Sequence, residues 1–168
     1  MYALQDYIGE ENVNRALAKY IRLVGYQDPP YTNSLELVDL LRKETPDDMK
    51  YLIEDLFETI TLFDNRAISA TYREKDGKYD VSIEVTVKKL RADQEGADQE
   101  IDANDWIDIG IVDSKNQPVL VERKKLVSGK NVFTMTVDQK PAKAGIDPLN
   151  KLIDRRPNDN LVPATSER

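Results

Sequence analysis

The spacing of hydrophobic residues changes near Arg66, and this change constrains the possible fold more than any other feature. Before it, apolar residues recur at intervals of three and four, the period of a helix with one buried face: Met49, Leu52, Ile53, Leu56, Phe57 and Ile60. After it, they alternate with polar residues, the period of a half-buried strand: Tyr79, Val81, Ile83, Val85 and Val87. The sequence therefore predicts an α+β chain, with helices over residues 1–65 and an antiparallel β-sandwich over residues 66–168.

Four helices are expected in the first part. Gly9 and Gly25 are suited to end the first two. The second and third helices have predicted buried stripes, which consist of Val13, Leu17, Tyr20, Ile21 and Val24, and of Leu35, Val38 and Leu41. Asn33 is expected to cap the third helix, with Glu36 in the capping-box position. A fourth helix is predicted to start at Thr45, with Pro46 in its first position.

Short alternating segments separated by turn residues predict the strands of the second part. They are centred on Ile68–Tyr72, Tyr79–Val87, Ile107–Ile111, Val119–Leu126 and Phe133–Val137, with a short strand near Gly145–Asp147. Tight turns between such strands are typical of an antiparallel sandwich. The residues after Asn160 are expected to fray.

Two residue types are absent from the chain, and each absence excludes a class of chemistry. Without cysteine there is no disulfide, no thiolate nucleophile and no cysteine-ligated metal. Without histidine there is no imidazole base, no Ser-His-Asp triad and no histidine-ligated zinc site. Any catalysis by this chain would therefore have to use carboxylates, Lys, Tyr, Ser or Thr.

Charge is distributed unevenly between the two parts. Residues 1–65 contain 13 acidic and 6 basic side chains, whereas residues 66–168 contain 18 of each. An acidic first part argues against nucleic acid as a partner. No segment has the length and apolarity of a membrane span, so the chain itself is expected to be soluble.

The first 25 residues carry a more specific signal. In YALQDYIGEENVNRALAKYI, eight positions match the helix motif of a known enzyme family: Leu4, Asp6, Ile8, Gly9, Glu10, Val13, Ala16 and Leu17. On these residues the chain resembles the zinc aminopeptidases of the membrane alanyl aminopeptidase family. The segment TNSLELVDLLR is similar to the next helix of that family. The ending IDPLNKLIDRRPNDN resembles a bacterial subgroup in which the peptidase is fused to ABC transporter permease segments.

The resemblance implies a role without chemistry, so we expect no catalytic, cofactor-binding or metal-binding residue in this chain. The family's zinc site, H-E-x-x-H with a downstream Glu, has no counterpart here, and its catalytic Tyr precedes a Lys-Gly pair, whereas Tyr2 precedes Ala3. The expected chain is thus a C-terminal fragment whose partner is the catalytic lobe of the same protein. The zinc belongs to the full-length parent, which is either membrane-associated in bacteria or cytoplasmic. A homodimer through an exposed helical face is also possible.

Two charged segments can be interpreted either as metal-binding sites or as loops and turns without a ligand. The acidic segment between residues 93 and 108 could bind Ca²⁺, but it lacks EF-hand spacing, and a solvated mobile loop is the favoured interpretation. Its members are Asp93, Glu95, Asp98, Glu100, Asp102, Asp105 and Asp108. Turn formation is favoured over oxygen ligation for Asp154, Asn158, Asp159 and Asn160.

Three further features also have a structural interpretation. Asp47 and Asp48 are interpreted as helix-capping residues and not as a catalytic carboxylate pair. The basic residues Arg123–Lys125 are interpreted as protection of an exposed strand edge. Trp106 is expected to pack in a core or between domains.

A second functional class remains open. The chain could be a self-contained sandwich module that binds peptide, glycan or a transporter surface. A detached supporting fragment should expose apolar residues on its first helices, whereas a binding module should bury them.

Overall fold

The computed structural model describes residues 1–167 and confirms the α+β class. The chain divides into two compact units, Met1–Ile60 and a second unit that starts at Thr61. The first unit is helical, and the second contains nearly all of the strand residues.

The helical unit contains three helices of at least seven residues, followed by three short turns. The helices are α1 (Tyr2–Ile8), α2 (Glu10–Val24), α3 (Ser34–Glu44) and the single turn α4 (Tyr51–Ile53), which lies between a 3₁₀ turn (Asp47–Met49) and a π-helical turn (Glu54–Glu58). The predicted cap of α3 is confirmed, because Oδ1 of Asn33 accepts a hydrogen bond from the Leu35 N–H at 2.9 Å. Glu36 instead accepts from the Thr32 hydroxyl at 2.6 Å.

The predicted fourth helix differs from the structure. Thr45 does not cap it: its hydroxyl donates to the carbonyl of Leu41 at 2.7 Å, so it belongs to the end of α3. The following residues change from 3₁₀ to α to π geometry instead of forming one regular helix. Of the predicted stripe, Leu52 and Ile53 are buried, whereas Ile60 lies in a strand and is 52% exposed.

The apolar residues of the helical unit fall into two groups. The buried group contains Leu4, Tyr7, Ile8, Val13, Ala16, Val38, Leu41, Leu52 and Ile53. The exposed group contains Tyr2, Ile21, Leu23, Tyr26, Tyr31 and Leu35. Ile21 and Leu35 were predicted to be buried, yet they are 65% and 66% exposed. Helices α2 and α3 are also joined by an ion pair, in which Nε of Arg15 lies 3.0 Å from Oε2 of Glu44.

Ten strands within residues 1–167 form two sheets. Their bounds are β1 (Ile60–Phe63), β2 (Arg66–Lys75), β3 (Lys78–Val87), β4 (Lys89–Ala92), β5 (Asp98–Ile101), β6 (Asn104–Val112), β7 (Pro118–Val127), β8 (Gly129–Val137), β9 (Lys143–Ile146) and β10 (Leu161–Ser166). One sheet has the order β1-β4-β5, and the other has the order β7-β6-β9-β10-β2-β3-β8. The seven-stranded sheet is strongly curved and nearly closed.

The C-terminal segment corrects two sequence predictions. Residues 161–166 are not frayed, because β10 lies inside the sheet between β9 and β2. The sheet is not purely antiparallel either, since β10 runs parallel to β2 with Ala164 opposite Ala70. Pro163 made a strand here difficult to predict, because proline is rare inside sheets. The neighbouring Ala164 N–H nevertheless donates to the carbonyl of Ala142 at 2.9 Å.

The alternating apolar residues of this sheet form one core. Its fully buried members include Val81, Ile83, Val85, Ile107, Ile109, Ile111, Leu126, Ala144 and Ile146. Glycine is required where β9 approaches the start of β10. A Cβ atom on Gly145 would lie 2.0 Å from the carbonyl oxygen of Asn160 and 2.9 Å from Cβ of Ala67.

Candidate functional site

The most unusual feature of the sheet unit is a buried cluster of charged side chains on β6. Nζ of Lys151 lies 2.6 Å from Oδ2 of Asp108, and Nε of Arg123 lies 2.9 Å from Oδ1 of the same carboxylate. Arg123 stands directly opposite Asp108 in the β6–β7 pair. The side chains of Lys151 and Asp108 are only 4% and 3% exposed. This carboxylate therefore binds one cation away from solvent, Lys151, and one that is partly exposed, Arg123.

Lys151 is held in place by the segment that carries it. The backbone N–H of Asp147 donates to the Asp108 carbonyl at 2.7 Å, which joins the segment to β6. The Asp147 carboxylate then accepts from the N–H groups of Lys151 and Leu152, both at 2.9 Å. Sequence reasoning missed both Asp147 and Lys151. Their only signal was the four-residue spacing of an acid and a base in IDPLNK.

The pKa values of the two carboxyl groups move in opposite directions. Burial raises the pKa of Asp108, but the hydrogen bonds from Arg123 and Lys151 outweigh it, so the pKa lies below its ordinary value. Burial also raises the pKa of Asp147, and the nearby negative charge of Asp108 raises it further. The hydrogen bonds from the two backbone N–H groups lower this pKa, but the net shift is upward. Asp108 thus has the environment of a structural anion and not of a proton donor.

The acidic segment of residues 93–108 is not a single solvated loop. Asp93 closes the β4–β5 hairpin, because its Oδ1 accepts from the N–H groups of Glu95 at 3.0 Å and Ala97 at 2.8 Å. Asp105 is buried in β6, with its Oδ1 2.8 Å from Nζ of Lys89. The prediction of a mobile loop is therefore wrong for Asp105 and Asp108, which belong to β6, and for Asp98 and Glu100, which belong to β5.

The outer members of this segment lie nearer to solvent. Asp98 forms an ion pair with Arg155, and Oε2 of Glu100 lies 3.0 Å from Nζ of Lys88. Asp102 is exposed between β5 and β6. Across residues 1–167, no three acidic side chains come close enough together to hold a metal ion.

The segment DRRPNDN forms the predicted turns. Asp154 accepts from the N–H of Arg156 at 2.8 Å and from that of Asn65 at 3.0 Å. Oδ2 of Asp159 lies 3.4 Å from Nε of Arg66, and the Asn160 carbonyl accepts from Ile146 at 2.9 Å. Asn158 is exposed in the 3₁₀ turn that precedes β10.

The predicted capping role of Asp47 and Asp48 is wrong, because the 3₁₀ turn that they begin has no side-chain cap. Asp47 pairs with Lys50 in the 3₁₀ turn, where the hydrogen bond from Lys50 lowers the pKa of its carboxyl group. Asp48 is exposed in the same turn. The basic run Arg123–Lys125 lies on β7, which is an edge strand as predicted, but Arg123 binds Asp108 and does not protect that edge. Its lysines interact locally: Nζ of Lys125 lies 5.4 Å from the ring centre of the half-buried Trp106, and Lys124 pairs with Glu122.

A groove opens at the surface of each unit. The helical groove, of about 190 Å³, lies between α2 and α3. The sheet groove, of about 290 Å³, lies between the start of β7 and the end of β8. These strands are joined through Ser128 and are the two edges of the seven-stranded sheet, so the groove is the open end of the seam between them.

The comparisons with known proteins do not assign the chain to a family. No protein-family model matches the chain, and no curated protein matches it significantly. Within residues 1–167, every helix is too short or too polar to cross a membrane. A function therefore has to be argued from the structure itself: from the exposed apolar residues of the helical unit, from the grooves and from the buried Asp108 cluster.

Proposed function

We propose that this chain is the non-catalytic C-terminal part of a zinc-dependent aminopeptidase. In this proposal the helical unit supports the catalytic lobe of the same protein. The sheet unit shapes the outer wall of the substrate cleft or holds neighbouring modules. The parent would remove N-terminal residues from peptides and would be a bacterial protein, either membrane-associated or cytoplasmic.

The observation that carries the proposal is the exposed apolar surface of the helical unit. Ile21 and Leu23 of α2 are 65% and 70% exposed, and Leu35 of α3 is 66% exposed. Large exposed apolar side chains on a small acidic unit are expected where another polypeptide covers that unit. A self-contained binding module would be expected to bury these side chains.

The residues that carry the family resemblance have structural roles that agree with the proposal. Leu4, Ile8, Val13 and Ala16 are all buried, and Gly9 joins α1 to α2 with a φ of 89°. The motif thus maintains the packing of the first two helices, which is what a supporting element requires.

This chain does not itself supply a fitting zinc site. Zinc in enzymes is held by imidazole, thiolate and carboxylate groups, and the first two are missing from the sequence. We therefore assign no step of the reaction to any residue here. The metal would be held by the catalytic lobe, where its role is to activate water for attack on the peptide bond.

The polypeptide encoded immediately upstream tests the proposal at the level of sequence. About 150 residues, the scale of one domain, are sufficient. They are expected to contain H-E-x-x-H, a downstream Glu, and a Tyr ahead of Lys-Gly. An upstream region without these elements would overturn the proposal, as would peptidase turnover by the isolated chain that survives repurification with zinc.

The sheet groove favours a second candidate function, a module that binds an extended peptide. The edge strand β8 contains the uncharged run NVFTMTV, and Val132 is 55% exposed. An uncharged strand edge is a template for pairing with another strand. Addition of an alternating Thr-Val peptide would then slow amide exchange along β8. Unchanged exchange at millimolar peptide would exclude this function.

A further inference from the structure

The helical groove combines an apolar lining with an acidic rim. Leu23 and Val24 of α2 face Leu40 of α3 across it. Glu36 and Asp39, one helical turn apart on α3, contribute the carboxylates. Both acidic residues are exposed, and Val24 and Leu40 are half-buried. A ligand in this groove therefore contacts hydrocarbon along its length and negative charge at the rim.

The surrounding charge strengthens this pattern. Residues 1–65 carry 13 acidic and 6 basic side chains, so the potential around the groove is negative. Lys43 also lines the groove, so the charged groups of the lining are two carboxylates and one ammonium group, with a net charge of about −1. An anionic side chain is disfavoured at this rim, and a purely apolar one would leave the carboxylates without a partner across the interface.

We propose that this groove receives a lysine or arginine side chain from the polypeptide that covers the helical unit. These side chains have an apolar stem that can lie along Leu23 and Leu40, and a cationic head that can reach Asp39 or Glu36. The inference rests on the proposed function, because it names the chemistry of the covering surface. It predicts that a basic residue of the catalytic lobe anchors the two parts.

A fragment that imitates such a side chain tests the groove without the covering polypeptide. The probe is n-butylguanidinium, titrated into the isotope-labelled chain while the methyl signals of Leu23, Val24 and Leu40 are followed by NMR. Saturable shifts confined to these methyl groups are expected. The same titration with n-butanol, which keeps the stem and lacks the charge, should produce at most weak shifts.

Matched variants then separate a specific contact from general electrostatic attraction. Asp39→Asn should weaken the binding of n-butylguanidinium by about fivefold, the upper scale of one solvent-exposed ion pair. Asp48→Asn removes an equally exposed carboxylate outside the groove and should change binding by less than about twofold. Equal effects of both variants, or no saturable shift at these methyl groups, would overturn the inference. Failure here would leave the proposed function standing, because that function depends on the upstream sequence and not on the fragment.

Discussion

The ammonium group of Lys151 lies 2.6 Å from Oδ2 of Asp108, and both side chains are almost completely removed from solvent. The pair joins the segment after β9 to the outward face of β6. Arg123 binds the other oxygen of the same carboxylate at 2.9 Å. Because charges buried in this way are costly when a partner is lost, the pair should be essential for the stability of the sheet unit.

Lys151→Met is expected to lower the free energy of unfolding by about 3 kcal/mol, because Asp108 keeps only one of its two cationic partners. Lys124→Met removes a lysine on an edge strand whose side chain is 37% exposed, and should cost less than about 1 kcal/mol. Urea denaturation of both variants at neutral pH provides the comparison. Equal losses would mean that the buried pair contributes no more than a surface pair.

The pH dependence should follow the lowered pKa of Asp108. Its folded-state pKa lies below the unfolded value of about 3.9, so its stabilisation is complete above that value and is lost as the pH falls through the folded pKa. Asp147, with a raised pKa, acts in the opposite sense, since its contribution is lost as the pH rises.

The stability difference between the natural chain and Asp108→Asn should therefore be largest near neutral pH and should shrink in acid. Measuring the free energy of unfolding of both proteins across the acidic range tests this. A difference that grows as the pH falls would contradict the assigned direction.

Removal of residues 161–168 should abolish cooperative unfolding of the sheet unit. The truncation deletes β10, which pairs with both β9 and β2. Removal of residues 167–168 alone keeps the strand and should leave the transition intact. Circular dichroism and amide NMR dispersion report the outcome, and a folded chain that ends at Asn160 would show that β10 is dispensable.

Gly145→Ala should destabilise the sheet unit by about 3 kcal/mol or more, because the new Cβ overlaps backbone that cannot move aside. Gly129→Ala is the control for backbone strain alone. Its φ is 83° with no atom within 4 Å of the added Cβ, and a cost of about 1–2 kcal/mol is expected. Thermal denaturation ranks the two variants, and a smaller effect at Gly145 would contradict the packing described here.

The isolated chain should self-associate through its exposed helical residues. Replacing Ile21 and Leu23 together by Ser should reduce concentration-dependent association in sedimentation equilibrium. The free energy of unfolding should change by less than about 0.5 kcal/mol, since neither side chain is buried in the monomer. Association that is unaffected by the double change would place the contact elsewhere.

Alternation was a reliable guide to most of the sheet. The predicted residues Val81, Ile83 and Val85 of β3 are completely buried, and the capping role of Asn33 is also confirmed. These features depend on neighbouring residues, which is why a single sequence contains enough information to predict them.

Features that depend on distant residues were not predictable. The parallel pairing of β10 with β2 joins residues more than ninety positions apart, and Pro163 obscured the strand. Asp108 lies on the face of β6 opposite Ile107 and Ile109, a face that the pattern assigns to solvent. Only the three-dimensional structure shows that Lys151 and its segment cover it.

The exposed helical residues illustrate another limit of sequence reasoning. The helical period of α2 correctly predicts that Val13 is buried but wrongly predicts the same for Ile21, because a period does not reveal where the packing partner ends. In the proposed parent protein, the missing partner of Ile21 is the catalytic lobe.

Reconstitution tests this central claim most directly. The upstream polypeptide and this chain would be expressed separately, mixed with zinc, and assayed for hydrolysis of an aminoacyl fluorogenic substrate. The account predicts turnover from the mixture and none from this chain alone, with Ile21→Ser and Leu23→Ser together reducing the recovered activity. Activity in this chain alone, or no activity in a mixture that forms a stable complex, would contradict it.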